Sequence, residues 1–154
     1  VRTVGRLRAN WMVVCATSEG REDFLRRLEA AGTPVTGAVR DKIRTFAGFA
    51  MNGVPQSEVV CVDEVLMAHA GQTITLAYVA GAGARCVVGV GDAMQIPWFS
   101  RVARAGLQPR LADFVRLAHV LQRLRISRTV PVDVCSKLSR YYQPGVSAYH
   151  QRTG

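Results

Sequence analysis

No apolar run in this 154-residue chain approaches the roughly 18–20 residues that a membrane-spanning helix needs, so no transmembrane segment is expected. Secretory leaders are also not expected: the first ten residues carry Arg2, Arg6 and Arg8 with no long apolar stretch behind them. None of the four cysteines, Cys15, Cys61, Cys86 and Cys135, lies in a Cys-x-x-Cys pair, and a zinc site needs tighter pairing than this. Three of them sit inside β-like apolar runs, so buried free thiols in a reducing compartment are expected. Internal repeats and low-complexity tracts are absent. Lysine is scarce, since arginine supplies 18 of the 20 basic residues. The first residue is Val1 and not Met, so the chain is expected to be a segment of a longer polypeptide.

An apolar fraction of 49% argues for a folded chain rather than a disordered one, and the length suffices for a domain with a real core. The net charge is +9 and its excess is local: from Arg101 to Arg128 there are seven arginines against one acid, Asp113. Such a block suits a polyanion partner, because guanidinium forks match phosphates bidentately; ordinary solvated surface is the alternative.

The apolar run Trp11–Ala16 reads as a buried strand. Thr17 and Ser18 offer an N-cap, Phe24, Leu25 and Leu28 have helical spacing over Glu19–Ala31, and Gly32 fits the stop. A weak strand is predicted over Val35–Val39 and a short helix over Ile43–Met51. Glu58–Val62 and Arg85–Val90 read as apolar strands, with a helix over Ala70–Val79 between them. Pro97 and Pro109 bracket a loop, and Phe114–Arg128 fits a strand or a helix equally. Pro131 suits the first turn of a helix running through Tyr142 to Pro144–Gly145. Apolar strands alternating with helices imply a parallel sheet covered on both faces, with ligands at the carboxyl ends of the strands.

Those ends carry the candidate chemistry. Val59–Val62 runs into Asp63 and Glu64. An acid at the tip of a buried strand can hold Mg²⁺, a hard cation that takes oxygen ligands and bridges to phosphates. A neighbouring carboxylate can polarise an attacking water. An ordinary strand end followed by a helix N-terminus is the alternative. Cys86–Val90 likewise runs into Gly91 and Asp92, and Gln95 follows with an amide able to contact a γ-phosphate and a water. Between Val59 and Ser100 the only acids are Asp63, Glu64 and Asp92, all at predicted strand tips.

On these residues the sequence resembles the superfamily 1 RNA helicases of alphavirus-like plus-strand RNA viruses, the tobamovirus and closterovirus type being nearest. VDEVLMAHAG (Val62–Gly71) resembles helicase motif II, the Walker B segment. GDAMQIPWFSR (Gly91–Arg101) resembles motif III. VVCATSEGREDFLRRLEAAG (Val13–Gly32) resembles motif Ia and its helix, IRTFAGFAMN (Ile43–Asn52) the segment before motif II, and ISRTVPVDVCSKLSRYY (Ile126–Tyr142) motif IV.

The resemblance implies an α/β RecA-like P-loop NTPase fold with a parallel sheet, incomplete at its N-terminus, over residues 1–110. Residues 111–154 would be a linker and the start of a second RecA-like domain. It implies that Asp63 coordinates Mg²⁺ and that Glu64 is the general base for ATP or GTP hydrolysis. Gln95 would contact the γ-phosphate, with Gly91 and Asp92 shaping its turn. Thr17 and Ser18 would touch the RNA backbone, and His69, Trp98, Arg101 and Arg104 would lie on the RNA side, with core packing the alternative for His69 and Trp98. Two departures stand out. The phosphate loop G-x-x-x-x-G-K-[S/T] is absent and would fall just before Val1. In motif IV, Thr129-Val130-Pro131 replaces arginine, cysteine and proline in a row, which leaves Arg128 one position early as the candidate nucleotide-contacting arginine.

The expected partners are RNA, an NTP, and the capping and polymerase regions of a replication polyprotein. The expected location is the host cytoplasm, in a membrane-associated replication complex. The isolated segment is expected to hydrolyse nothing measurable. Two other readings stay open: a non-catalytic RNA-binding helicase remnant, and a cellular or mobile-element superfamily 1 helicase acting on DNA.

Overall fold

A computed structural model describes residues 9–52, 56–81, 83–92, 94–95, 119, 122–142 and 145–149. The chain divides into two compact units, Val1–Leu111 and Ala112–Gly154.

The first unit is an α/β layer built on a four-stranded parallel sheet in the order β2-β1-β3-β4. Its strands are β1 (Trp11–Cys15), β2 (Ile43–Thr45), β3 (Val59–Val62) and β4 (Cys86–Gly89). Every residue of β1 is buried, as befits a central strand with helices on both faces. Chain alternation sends Trp11, Val13 and Cys15 to one face, where they form a core with Ile43 and with Leu25 and Leu28 of α1 (Ser18–Ala30). The opposite row, Met12, Val14, Val60 and Val62, is at most 1% exposed. It lies on the side of α3 (Phe46–Asn52) and α4 (Ala70–Gly81), which contribute the buried Phe46, Phe49 and Leu76.

Helix α1 starts and stops where its sequence dictates. Thr17 is extended, and its hydroxyl accepts from the Gly20 amide at 3.0 Å. At the other end Gly32 takes φ +84°, and the amides of Gly32 and Thr33 donate to the carbonyls of Glu29 and Leu28, which closes a Schellman turn.

Two sequence expectations fail in this unit. The strand expected over Val35–Val39 is instead the entry to α2 (Gly37–Asp41), because the Thr36 hydroxyl accepts from the Val39 amide and caps a single helical turn. The helix expected over Ile43–Met51 is split. Ile43–Thr45 pairs with Val13–Cys15 as β2, and only then does α3 begin, capped by the Thr45 hydroxyl accepting from Gly48 at 3.1 Å. A three-residue strand is too short to show its period of two before helical spacing takes over.

The expectation of a sheet covered on both faces also needs correction at β4. All four of its residues are exposed, and Val88 is 42% exposed, since β4 is the edge strand of the described sheet. All four cysteines are free as expected, but only Cys15 and Cys135 are buried; Cys61 is half-buried and Cys86 is exposed on that edge.

The second unit holds a two-stranded parallel sheet, β5 (Ile126–Ser127) with β6 (Ser147–Ala148), and α5 (Val132–Leu138) extended by a 3-10 turn to Tyr141. Pro131 is extended at the cap of α5 rather than inside its first turn. Among the described residues no helix is long and apolar enough to cross a membrane.

Candidate active site

The parallel sheet brings the tips of β3 and β4 side by side, and the candidate acids sit there. The Asp63 amide donates to the Val14 carbonyl at 2.8 Å, which carries the ladder one residue past β3 and fixes Asp63 beside the end of β1. Glu64 then takes the left-handed conformation, φ 51° and ψ 43°, alone among the described non-glycine residues. For an L-residue this conformation costs roughly 1–2 kcal/mol. It turns the chain into a 3-10 turn, Val65–Met67, and that turn is stitched to β4: Val65 N–H donates to Val90 at 2.9 Å, and Val90 N–H to Val62 at 2.8 Å.

The approach leaves no room for a side chain at Gly91. A Cβ there would lie 3.0 Å from Leu66 Cγ and 3.2 Å from the Leu66 backbone nitrogen. Beyond Gly91, the Asp92 carboxylate accepts from the Met94 amide at 2.8 Å and the Asp92 carbonyl from the Gln95 amide at 3.3 Å. This turn returns the Gln95 side chain to Glu64. Burial pushes the Glu64 carboxyl above its ordinary value, with the Asp63 and Asp92 charges adding to the rise, while a hydrogen bond from Gln95 opposes it. Thus Asp63, Glu64, Asp92 and Gln95, 32 positions apart in sequence at their extremes, share one electrostatic neighbourhood.

Other sequence-predicted residues have definite structural duties. Thr17 caps α1, and Ser18 is exposed in its first turn. His69 caps α4: its Nδ1 accepts from Gly71 N–H at 3.0 Å, and Gln72 Oε1 accepts in return from His69 N–H at 3.1 Å. The His69 Nδ1 thereby acts as an acceptor in this cap. Arg128, in the second unit, lies over the Tyr149 ring with its guanidinium carbon 4.9 Å from the centroid. Trp98, Arg101 and Arg104 lie outside the described residues.

Sequence reasoning missed the His69–Gln72 cap, although a side-chain acceptor followed three residues later by Gln is a readable signal. It also missed a group of arginines, Arg21, Arg40 and Arg44, which no motif links. They come from α1, α2 and β2 and meet only in the fold.

Two features mark the class of protein. A parallel sheet presents paired acids at one strand tip and Gly-Asp-x-x-Gln at the next, in the manner of a RecA-like helicase core. The family description "viral superfamily 1 RNA helicase core domain" matches residues 20–147, and the chain belongs to that family. Its relatives include the replicase large subunit of tobacco rattle virus (strain SYM), 32% identical over 148 residues, covering 92% of this chain and 8% of the relative. The replicase large subunit of soil-borne wheat mosaic virus is 32% identical over 136 residues, covering 84% of this chain and 7% of the relative. That of potato mop-top virus is 30% identical over 132 residues, covering 85% and 7%. The chain therefore spans less than a tenth of the length of these relatives.

Proposed function

We propose that this chain is part of a replicase that couples Mg²⁺-dependent hydrolysis of ATP or GTP to translocation along RNA during viral genome replication. One observation carries the reading: the Glu64 carboxyl, raised by burial and by Asp63 and Asp92, is held at a strand tip within reach of the Gln95 amide. A carboxylate lifted toward neutrality is a better proton acceptor than a free one, since general-base efficiency peaks when the pKa nears the working pH.

The residues fit a magnesium ion. Among the described residues no three His, Cys, Asp or Glu side chains converge. Mg²⁺ commonly takes one or two carboxylates, keeps several waters, and completes its shell with substrate phosphates. Asp63 suits that role, and the ion when bound would neutralise phosphate charge. Glu64 would accept the proton of the attacking water. Gln95, tied to Glu64, would report whether a γ-phosphate is present. Nucleotide grip would come from a phosphate loop on a strand added along the exposed edge of β4. RNA, the capping and polymerase regions of the same polyprotein, and a membrane-associated complex in the host cytoplasm complete the proposal.

The test is Glu64→Gln in the full-length replicase. Removing a general base should lower turnover by at least about 10²-fold while nucleotide binding survives. Turnover close to that of the unaltered protein would overturn the assignment.

A further inference from the structure

We propose that Val65 is a positioning residue for hydrolysis: its side chain fills a slot between two glycines at the end of the neighbouring strand and so sets how Gln95 approaches Glu64. The inference rests on the hydrolysis proposed above, but it concerns a residue to which that reading gives no role.

The slot is made by what β4 lacks. Past Val88 the chain runs Gly89-Val90-Gly91-Asp92, so two alternate positions on one face carry no side chain. A Cβ at Gly89 would lie 3.2 Å from Val65 Cγ1, and a Cβ at Gly91 would lie 3.3 Å from the same methyl carbon. Both distances are tighter than ordinary van der Waals contact, so one branch of Val65 occupies space that two side chains would need. Leu66 also meets the Gly91 position, but the three atoms nearest the Gly89 position all belong to Val65. Val65 is buried even though β4 is exposed. The backbone holds the same place from both sides. Val65 N–H donates to the Val90 carbonyl, and Val90 N–H donates to the Val62 carbonyl, so the residues flanking the acid pair both grip Val90.

Glycine leaves the backbone freer than any other residue, and a Gly-x-Gly tip on an edge strand has little of its own to fix it. Val65 supplies that restraint, and its β-branched side chain suits the task because χ1 is stiff. The left-handed Glu64 is what brings it there, since it turns the chain so that the next residue meets the end of β4. Beyond Gly91 the path is set by local bonds, with Asp92 accepting from the Met94 and Gln95 amides, and Gln95 hydrogen-bonds back to Glu64. The contacts close a ring. Glu64 joins Val65 through the chain, Val65 meets Gly91 by packing, Gly91 leads to Gln95 through the turn, and Gln95 returns to Glu64. A displacement of Gln95 is thereby passed to Glu64 by two routes, the hydrogen bond and the Val65 contact.

The test has two arms. In the 154-residue chain the side-chain amide of Gln95 is followed by nitrogen-edited NMR. Val65→Ala should shift or broaden that signal, whereas Val65→Ile, which keeps both branches, should leave it near its place. Leu76→Ala, which truncates a fully buried side chain of α4, should not move it. In the full-length replicase, Val65→Ala should lower kcat for Mg²⁺-dependent NTP hydrolysis by about 10-fold with KM within about twofold, since a misplacement of about 1 Å can cost about 10²-fold. Val65→Ile should recover most of the loss. Leu76→Ala should lower the melting temperature at least as far as Val65→Ala, yet keep kcat below both melts within about twofold of the parent. Gly89→Ala crowds the slot from the other side, should move the amide signal and kcat in the same way, and serves where Val65→Ala does not fold. Because Val65 acts through Gln95, adding Val65→Ala to Gln95→Ala should slow turnover by no more than about twofold further. An unmoved Gln95 amide, an unchanged kcat, or a loss that multiplies with that of Gln95→Ala would each overturn the inference, while Glu64→Gln decides the hydrolysis reading separately. A parent replicase without Mg²⁺-dependent turnover overturns both.

Discussion

Glu64 sits in a conformation that suits glycine, and its carboxyl sits where burial disfavours charge. Both features oppose stability and set Glu64 apart from an ordinary strand-end residue. Relative to an unfolded chain with an ordinary value of 4.5, the folded carboxyl holds its proton to higher pH. As pH rises from about 4.5 through the raised value, the unfolded state releases a proton that the folded state retains, so stability falls across that window. Glu64→Gln removes the titration. Urea denaturation at a series of pH values should show the variant gaining on the parent from pH 4.5 upward, and a constant difference would contradict the assigned burial. Glu64→Gly should also gain up to about 1 kcal/mol by relieving the left-handed backbone. Gly91 presents the opposite case. Gly91→Ala drives a methyl against Leu66, including its backbone, and should cost about 1–3 kcal/mol in the same assay. Both residues stood out in the sequence as an acid and a glycine at strand tips. The left-handed turn and the Leu66 contact did not, because each depends on how closely two strand ends approach.

At the scale of elements, legibility follows length and local signals. Helix α1 was readable from Thr17 to Gly32 because its cap, apolar stripe and stop all lie within its own sequence. Strands β1 and β3 were readable as apolar runs bounded by polar tips. Segment 35–52 was misread because α2 is a single turn and β2 has only three residues. Thr45 also closes β2 and caps α3 at once, so no boundary residue separates strand from helix. Helix α4 was readable, but its means of starting was not: His69 and Gln72 exchange hydrogen bonds across the first turn. Gln72→Ala should remove half of this box and destabilise the chain by about 1 kcal/mol, read by chemical denaturation. His69→Asn, which keeps a side-chain acceptor at the cap, should cost less than His69→Ala. Equal losses would show that His69 acts by packing rather than by capping.

At the scale of the whole molecule, the sheet is unevenly finished. Strand β1 is sealed on both faces, whereas β4 exposes Val87, Val88 and its thiol along an edge that pairs only with β3 among the described residues. A parallel sheet is normally covered on both faces, and an apolar strand left open at an edge invites pairing with other chains. The acids at the carboxyl end lie beside this open edge, so a strand added there would bring its own tip next to Gly91 and Glu64. Under the proposed function, that placement is where a phosphate-gripping loop would stand for a nucleotide to meet Glu64. Thiol chemistry can read it. In the 154-residue chain Cys86 should react with an aromatic disulfide reagent first and Cys61 later. Cys15, whose thiol burial and the neighbouring Asp63 push up to about 12, should react only on unfolding. In a longer form that includes the residues before Val1, Cys86 protection should rise by at least about tenfold if the added strand covers β4. Unchanged Cys86 reactivity in the longer form would mean that the preceding residues pack elsewhere, and the hydrolysis proposed at Glu64 would then need a nucleotide-gripping element that does not lie along β4.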